Sequence, residues 1–473
     1  MANDDKISKL PDALITHILS FLPTEEVVRT CILSKRWKFI WYSVPTLLFY
    51  NTNDDDLEKL YNYVNKYLKH RKTGMKFIAD SGITSFVLRM TGECERSKTR
   101  LIDKWLAFAV EKKIKKIELS INLDLIPIDW NSAYYCIPKI LLENAKYLTI
   151  LDLSGIMLDS SYSFSFPSLK TLSLESVWHS DNSDSEGVVK FLLGCPSLEK
   201  LRLFDHQFLN DGKFRLQSLS LKFLELTCLD NPKLNVQVEA INLESLVLYG
   251  VALNKINISC KKLRNLSIED CAEDKQSSLQ VLISNNPLLE NLTLRRCHIY
   301  NSKHLNISSQ HLKSFEFEQR WYDEDEDEDK DEDEDEMIIS DVTIESAPNL
   351  ASFSYDGVTD FDISIESSNL LNGKFHIFED QELDCDTRST NMINFFSKIN
   401  YSWNIISLQV HTDKALILSE KLKNMYDSPL FKWKHLKLVI TEYDPESLSE
   451  LKNSLSWISP SLETLSINGD VIF

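Results

Sequence analysis

At 473 residues the chain exceeds what one compact core usually holds, so two or more domains or an elongated repeat array is expected. Its 43% apolar and 10% aromatic residues exclude a disordered chain, because they supply the burial that offsets ordering entropy. The formal net charge of −19 is local in origin: Asp323 to Glu336 holds thirteen acidic residues and Lys330, which leaves −7 elsewhere and no basic face for nucleic acid.

The start, Met1 to Lys6, has no apolar run of signal-peptide type, and no stretch reaches the roughly 20 apolar residues of a membrane span. Cytoplasm, nucleus or both is therefore expected, without membrane contact, and sequons such as Asn291-Leu292-Thr293 read as chance matches. A first helix is predicted from Asp12 to Phe21 or Leu22, stopped by Pro23. Thr24 then reads as the cap of a second helix, with Glu25 and Glu26 in its positive first turn. Ser34 reads as the cap of a third, carrying Lys35, Arg36, Trp37, Ile40 and Trp41.

The first helix is apolar on two sides, with Leu14, Ile18 and Phe21 along one stripe and Ile15, Leu19 and Leu22 along the next. Together with Leu10, Pro11, Val27, Val28 and Leu33 this is more apolar surface than three short helices can hide. At roughly 25 cal/mol per Å² its exposure would cost several kcal/mol, so either a partner or the following domain must cover it.

These residues carry a resemblance. Leu10-Pro11-Asp12, Ile18-Leu19-Ser20-Phe21-Leu22-Pro23, Val27-Val28-Arg29-Thr30, Leu33-Ser34-Lys35-Arg36-Trp37 and Trp41 to Pro45 resemble, without a gap, the F-box of plant F-box proteins. The resemblance implies docking onto the Skp1-type adaptor of a cullin-RING ubiquitin ligase. By position, Leu10, Pro11, Ile18, Leu19, Leu22, Val27, Leu33 and Trp37 would contribute, some of them, Trp37 in particular, as internal core instead.

Asn51 to Asp56 reads as a linker, after which Leu57, Leu60, Tyr61, Val64, Tyr67 and Leu68 recur at helical spacing. A second helical stretch spans Arg100 to Glu111, with Leu101, Trp105, Phe108 and Ala109 on one side. Lys112, Lys113, Lys115 and Lys116 then read as the solvated side of a strand around Ile114 and Ile117.

Ile114-x-x-Ile117-x-Leu119 is the first copy of a phrase, LxxLxL, that returns at Leu148, Leu169, Leu198, Leu221, Leu243, Leu263 and Leu289; from Leu148 to Leu312 the steps are 20 to 29 residues, the period of leucine-rich repeats. Weaker copies start at Leu312, Leu350 and Leu462. Within each phrase the last two apolar residues should point inward and their neighbours to the open face of a parallel sheet. Pro167, Pro196, Pro287, Pro348 and Pro460 sit where each return segment would end. Cys195 and Cys260 read as small buried fillers.

The acidic run lengthens one repeat, from Leu312 to Leu350, and reads as a self-repelling insertion whose default role is solvation and whose functional version would steer a basic target. Past Leu371 the periodicity blurs. Trp433 to Ile440 and Ser461 to Ile467 then read as strands around a helix bearing Leu448, Leu451, Leu455 and Ile458, similar to the closing region of plant F-box leucine-rich-repeat proteins, with a loose likeness to the FBD segment.

The expected fold is α/β: a three-helix F-box over 6–50, a connecting helical segment over 51–110, leucine-rich repeats over 111–371 with the acidic insertion 323–336, and irregular repeats with an FBD-like cap over 372–473. The repeats would form a parallel-sheet horseshoe. No GxSxG, HExxH, P-loop, GxGxxG or CxxC pattern occurs, so no catalytic centre, cofactor or metal is expected. Lone histidines such as His206 and His298 read as structural. Candidate target contacts are the outward strand residues Asp152, Ser173, Glu175, Arg202, Phe204, Glu225, Tyr249, Glu269, Thr293 and Arg295, with Arg202, Phe204, Tyr249, Thr293 and Arg295 foremost. The expected function is the substrate-recognition subunit of an SCF-type ligase, joined to cullin through the adaptor and holding an unidentified target protein. A small-molecule receptor or a non-degradative protein-binding scaffold on the same repeats is the alternative.

Overall fold

Each apolar phrase becomes a short parallel strand, because a strand's two-residue period puts its inner pair on one face and leaves the flanking residues on the other. The computed structural model describes residues 7, 9–52, 56–74, 82–92, 97–122, 134–159, 161–179, 191–204, 213–228, 234–273, 277–299, 304–319, 341–367, 370–378, 383–430 and 432–473. The acidic insertion 323–336 and His206 lie outside them. Two compact units divide the chain, Met1–Cys228 and Leu229–Phe473.

The first unit opens with three short helices, α1 (Asp12–Leu19), α2 (Thr24–Arg29) and α3 (Trp37–Ile40), and runs directly into a seven-stranded parallel ladder. Its strands are β1 (Thr46–Tyr50), β2 (Ser85–Thr91), β3 (Lys116–Asn122), β4 (Ile150–Ser154), β5 (Thr171–Glu175), β6 (Lys200–Phe204) and β7 (Phe223–Thr227). In register, Leu47, Phe86, Ile117, Leu151, Leu172, Leu201 and Leu224 stack as one fully buried row. Stacking is obligatory, since each leucine gains roughly 1.5–3 kcal/mol only when a neighbouring repeat covers it.

The ladder thus begins at Thr46, well before residue 111, and a strand at Ser85–Thr91 lies inside the segment expected to be helical. Val44-x-x-Leu47-x-Phe49 and Ile83-x-x-Phe86-x-Leu88 are the same phrase in other apolar residues. Helix α4 (Leu57–Gly74) buries Leu60, Tyr61, Val64, Tyr67 and Leu68, as its spacing predicts. In α5 (Thr99–Glu111) the buried face holds Ile102, Trp105, Leu106, Phe108 and Ala109, with Leu101 half-buried. Of the four lysines, only Lys116 belongs to a strand. Lys112 follows the end of α5, and Lys113 takes φ 53° in the turn.

The second unit continues the scheme with β8 (Ser245–Tyr249), β9 (Asn265–Glu269), β10 (Asn291–Arg295), β11 (Ser314–Glu318), β12 (Ser352–Val358), β13 (Asn372–Phe378), β14 (Ile405–Thr412), β15 (His435–Glu442) and β16 (Thr464–Ile467), all parallel. A short antiparallel strand β17 (Asp470–Val471) pairs with β16.

The strands past Leu371 are regular in register although the leucine pattern blurs. From Phe315 onward aromatic residues share the interior with aliphatic ones: Phe315, Phe317, Phe353, Tyr355, Phe375, Trp403 and Trp433 are buried, as are Ile406, Leu408, Leu436 and Leu438. Gly373 occupies an inner position between Phe353 and Ile406, and a Cβ there would lie 2.7 Å from Ile406 Cδ1 and 2.8 Å from Phe375 Cε2. The missing side chain makes room for the rings beside it. The predicted helix with Leu451, Leu455 and Ile458 buried spans Leu448–Ile458.

Candidate functional site

Two features of the hook fix its shape. Arg36 donates from Nε to Asp12 Oδ1 at 2.7 Å and from Nη2 to the Leu10 carbonyl at 2.6 Å, so the Leu-Pro-Asp opening is clamped to the Lys-Arg-Trp stretch. Thr24 is the first residue of α2, and its hydroxyl accepts from Leu48 N at 2.8 Å, which ties the hook to β1. It does not cap the helix. Ser34 accepts from Trp37 N at 3.4 Å, but the third helix begins only at Trp37, after Arg36, so Lys35 and Arg36 precede it and Ser34 is not its N-cap residue.

A third tie comes from Arg71 of α4, which has no exposed surface. Its guanidinium donates to Tyr67 Oη at 2.6 Å and to the carbonyls of Tyr42 and Val44 at 2.9 and 2.8 Å. A buried charge that satisfies backbone carbonyls at the end of the hook ties the hook to helix α4 of the repeats. No sequence pattern signalled it, because a lone arginine on a helix normally faces water.

With the hook so held, its apolar residues divide. Ile15, Leu19, Val27, Trp37, Ile40 and Trp41 are buried in the unit. Leu19, Val27 and Trp37, expected among the adaptor contacts, are therefore core: Trp37 keeps only 4% of its surface. Ile18, Leu22 and Leu33 are exposed, Pro11 is exposed and Leu10 half-buried. The stripe of Leu14, Ile18 and Phe21 faces water together, Phe21 at 72%, although Leu14 and Phe21 were not among the expected adaptor contacts; Ile32 at 89% and Phe39 were not singled out by sequence reasoning. Ile32 lies in the turn after α2, where helical periodicity gives no side assignment.

On the open face of the first unit, Glu118, Asp152, Ser173, Arg202 and Glu225 stand in one register row. Burial raises the Glu118 pKa, but hydrogen bonds from Lys116 and Arg89 outweigh it and hold the carboxyl below its usual value. Asp152 goes the other way: burial, then the adjacent Glu118 charge, push it up. Arg202 pairs with Glu225 at 2.9 Å and lies over the Phe223 ring, as does Lys200 at 4.4 Å. Phe223, not Phe204, is thus the ring that engages cations here. Glu175 is exposed and Phe204 half-buried in the next row.

In the second unit Arg295 is committed to the carboxylates around it. Arg295 meets Glu316 at 2.7 Å, Glu318 at 3.6 Å and Glu269 at 3.9 Å. Arg296 bridges Asp270 at 2.8 Å and Glu318 at 3.2 Å. A hydrogen bond with Asp270 raises the Tyr249 pKa, with burial second. Thr293 is half-buried in register with Ser267 and Glu316. Cys195 and Cys260 are buried fillers as expected, and burial pushes the Cys195 thiol up to about 12. Among the described residues no cluster of His, Cys, Asp or Glu could hold a metal, and no helix is long and apolar enough to cross a membrane.

Residues 7–48 match the F-box domain family, and residues 75–323 match the family described as "At1g61320/AtMIF1, LRR domain". Similar curated proteins include the F-box/FBD/LRR-repeat protein At3g26920 of Arabidopsis thaliana, 32% identical over 227 residues, 47% of each chain. The FBD-associated F-box protein At5g22730 of the same plant is 29% identical over 234 residues, 48% of this chain and 45% of that one. The chain spans about half the length of the curated relatives it matches.

Proposed function

Because the chain belongs to the plant F-box proteins that carry a leucine-rich-repeat domain of the At1g61320/AtMIF1 type, we propose that it is the substrate-recognition subunit of an SCF-type ubiquitin ligase. The hook binds a Skp1-type adaptor and, through it, cullin, while the open faces of the repeats hold a target protein. The chain performs no chemistry itself; it raises the effective concentration of the bound target near a charged ubiquitin-conjugating enzyme. Residues 372–473, with their aromatic core, correspond in this reading to the FBD-type closing region.

The observation that carries the reading is the apolar surface the hook leaves in water: Leu14, Ile18, Phe21, Leu22, Ile32, Leu33 and Phe39 are exposed within one short segment, although Leu19, Val27 and Trp37 already fill its core. In this reading they are the docking face, since isolated exposed apolar residues are ordinary but so many between Leu14 and Phe39 are not.

Pull-down of the purified chain with a Skp1-type adaptor tests it. Ile18→Asp, Phe21→Asp and Leu33→Asp are expected to weaken capture at least about tenfold each while leaving the circular-dichroism melt unchanged. Undiminished capture by all three would rule the reading out. Leu19→Asp, which puts a charge in the core, is expected to lower the melting temperature instead.

A further inference from the structure

On the open face of the first unit, Asp152 and Ser154 of β4 stand in register with Ser173 and Glu175 of β5. Alternate residues of a strand share a face, so the four side chains form a block about 5 Å wide and about 7 Å long, with the carboxylates on one diagonal and the hydroxyls on the other. The members sense one another: Ser173 donates a hydrogen bond to Asp152, and the Glu175 charge is among those that push the Asp152 pKa up. Ser154 lies between the two carboxylates. It keeps only 6% of its surface, and among the described residues its hydroxyl has no hydrogen-bond partner. A hydroxyl taken out of water without a partner is destabilising, so it marks a place where a further group bonds.

The cations of this face are engaged elsewhere. Arg89 and Lys116 both pair with Glu118, at 2.6 and 3.0 Å, Arg202 pairs with Glu225 at 2.9 Å, and Lys200 lies over the Phe223 ring at 4.4 Å. Asp152 and Glu175 have no ion pair among the described residues, and the attraction of Lys116 for Asp152 does not outweigh burial and the Glu118 charge.

Two carboxylates with a hydroxyl between them are acceptors for a donor-rich cation. A primary ammonium carries three N–H donors on a compact charge and matches three separate acceptors. A guanidinium is planar and prefers both oxygens of one carboxylate, and a quaternary ammonium has no donor for the Ser154 hydroxyl. Ile150, exposed two residues before Asp152, and half-buried Phe204, beside Glu175, add apolar surface for a chain that carries the amine.

We propose that Asp152, Ser154 and Glu175 form a binding site for a primary ammonium group on an alkyl chain, carried by a free alkylamine or by a lysine side chain of a bound protein. The site goes beyond the receptor reading and stands without it, because it needs neither the adaptor nor ubiquitination of what it holds.

Isothermal titration calorimetry of the full chain at about 150 mM salt tests it, with n-pentylamine and the Nα-acetyl amides of lysine, arginine and norleucine as probes. The two primary amines are expected to bind at least about tenfold more tightly than the arginine derivative and the uncharged norleucine derivative. Asp152→Asn and Glu175→Gln should each lose about tenfold of that affinity, and Ser154→Ala at least about threefold. Glu175 is exposed, so its variant should melt as the intact chain does, and lost binding would not come from unfolding. The acidic run 323–336 attracts any cation, and that contribution is common to the intact and variant chains. A peptide pool with a central lysine that binds more tightly than pentylamine assigns the ammonium to a protein, and one that does not assigns it to a free amine; both support the site. Equal binding of the arginine derivative, full binding by the Asp152→Asn/Glu175→Gln double variant, or no saturable binding of either amine at millimolar concentration would each overturn the proposal. If the amines bind while the adaptor is not captured, the site stands and the ligase reading fails.

Discussion

Asp152 shows how one residue's environment sets the sign of a pH effect. Its folded pKa lies above the ordinary aspartate value, first because of burial and then because Glu118 is the neighbour in register. A carboxyl of this kind takes up a proton more readily in the folded than in the unfolded chain, so stability falls as pH rises from the usual aspartate pKa through the raised one. At neutral pH the whole penalty is present. Asp152→Asn, which keeps a polar group opposite Ser173, is therefore expected to raise the melting temperature at pH 7 and to confer no advantage at pH 3. Calorimetry at the two values checks both. Glu118, one strand away, has the opposite sign, because hydrogen bonds from Lys116 and Arg89 stabilise its charge.

At the scale of the element, strand ends share a turn that the leucine spacing alone does not announce. Gly155, Ser176, Gly250, Asp270 and Arg296 each follow a strand, take a positive φ of 46–69° and donate their N–H to the carbonyl at the end of the next strand, at 2.9–3.1 Å. The left-handed residue thus locks one repeat to the next. Three of the five are not glycine and carry the strain of that conformation. At Gly155 there is no such latitude, since a Cβ would lie 1.9 Å from the Ile121 carbonyl oxygen. Gly155→Ala is expected to cost about 2–4 kcal/mol, read as a lower urea midpoint, whereas Ser176→Gly should relieve strain.

At the scale of the whole molecule, the hook is structurally continuous with the repeats of its unit. Strand β1 pairs with β2 along its length, and the carbonyls of Tyr42 and Val44 satisfy the buried Arg71. Deleting Met1–Tyr50 would expose the edge of β2 and strip a buried guanidinium of two acceptors. The truncated chain is expected to aggregate on size-exclusion chromatography, while Ile18→Asp elutes as the intact protein does. Loss of adaptor capture on truncation would therefore not separate docking from folding, and point substitutions on the exposed face are the decisive variants.

The sequence by itself determined the architecture and its period. LxxLxL at 20 to 29 residues requires a parallel ladder because only neighbouring repeats can cover the inner leucines, and the Leu-Pro-Asp to Leu-Ser-Lys-Arg-Trp stretch marked the hook. It failed where other apolar residues stand for leucine, at Phe86 and Phe375, and where glycine does, at Gly373, since one-letter periodicity does not record that a ring in one repeat fills the space left by its neighbour. Only the tertiary structure decided which hook residues are core and which face water. Ile15 and Leu19 differ from Leu14 and Ile18 by one position on the same helix, and the side on which Trp37 and Trp41 pack made the choice.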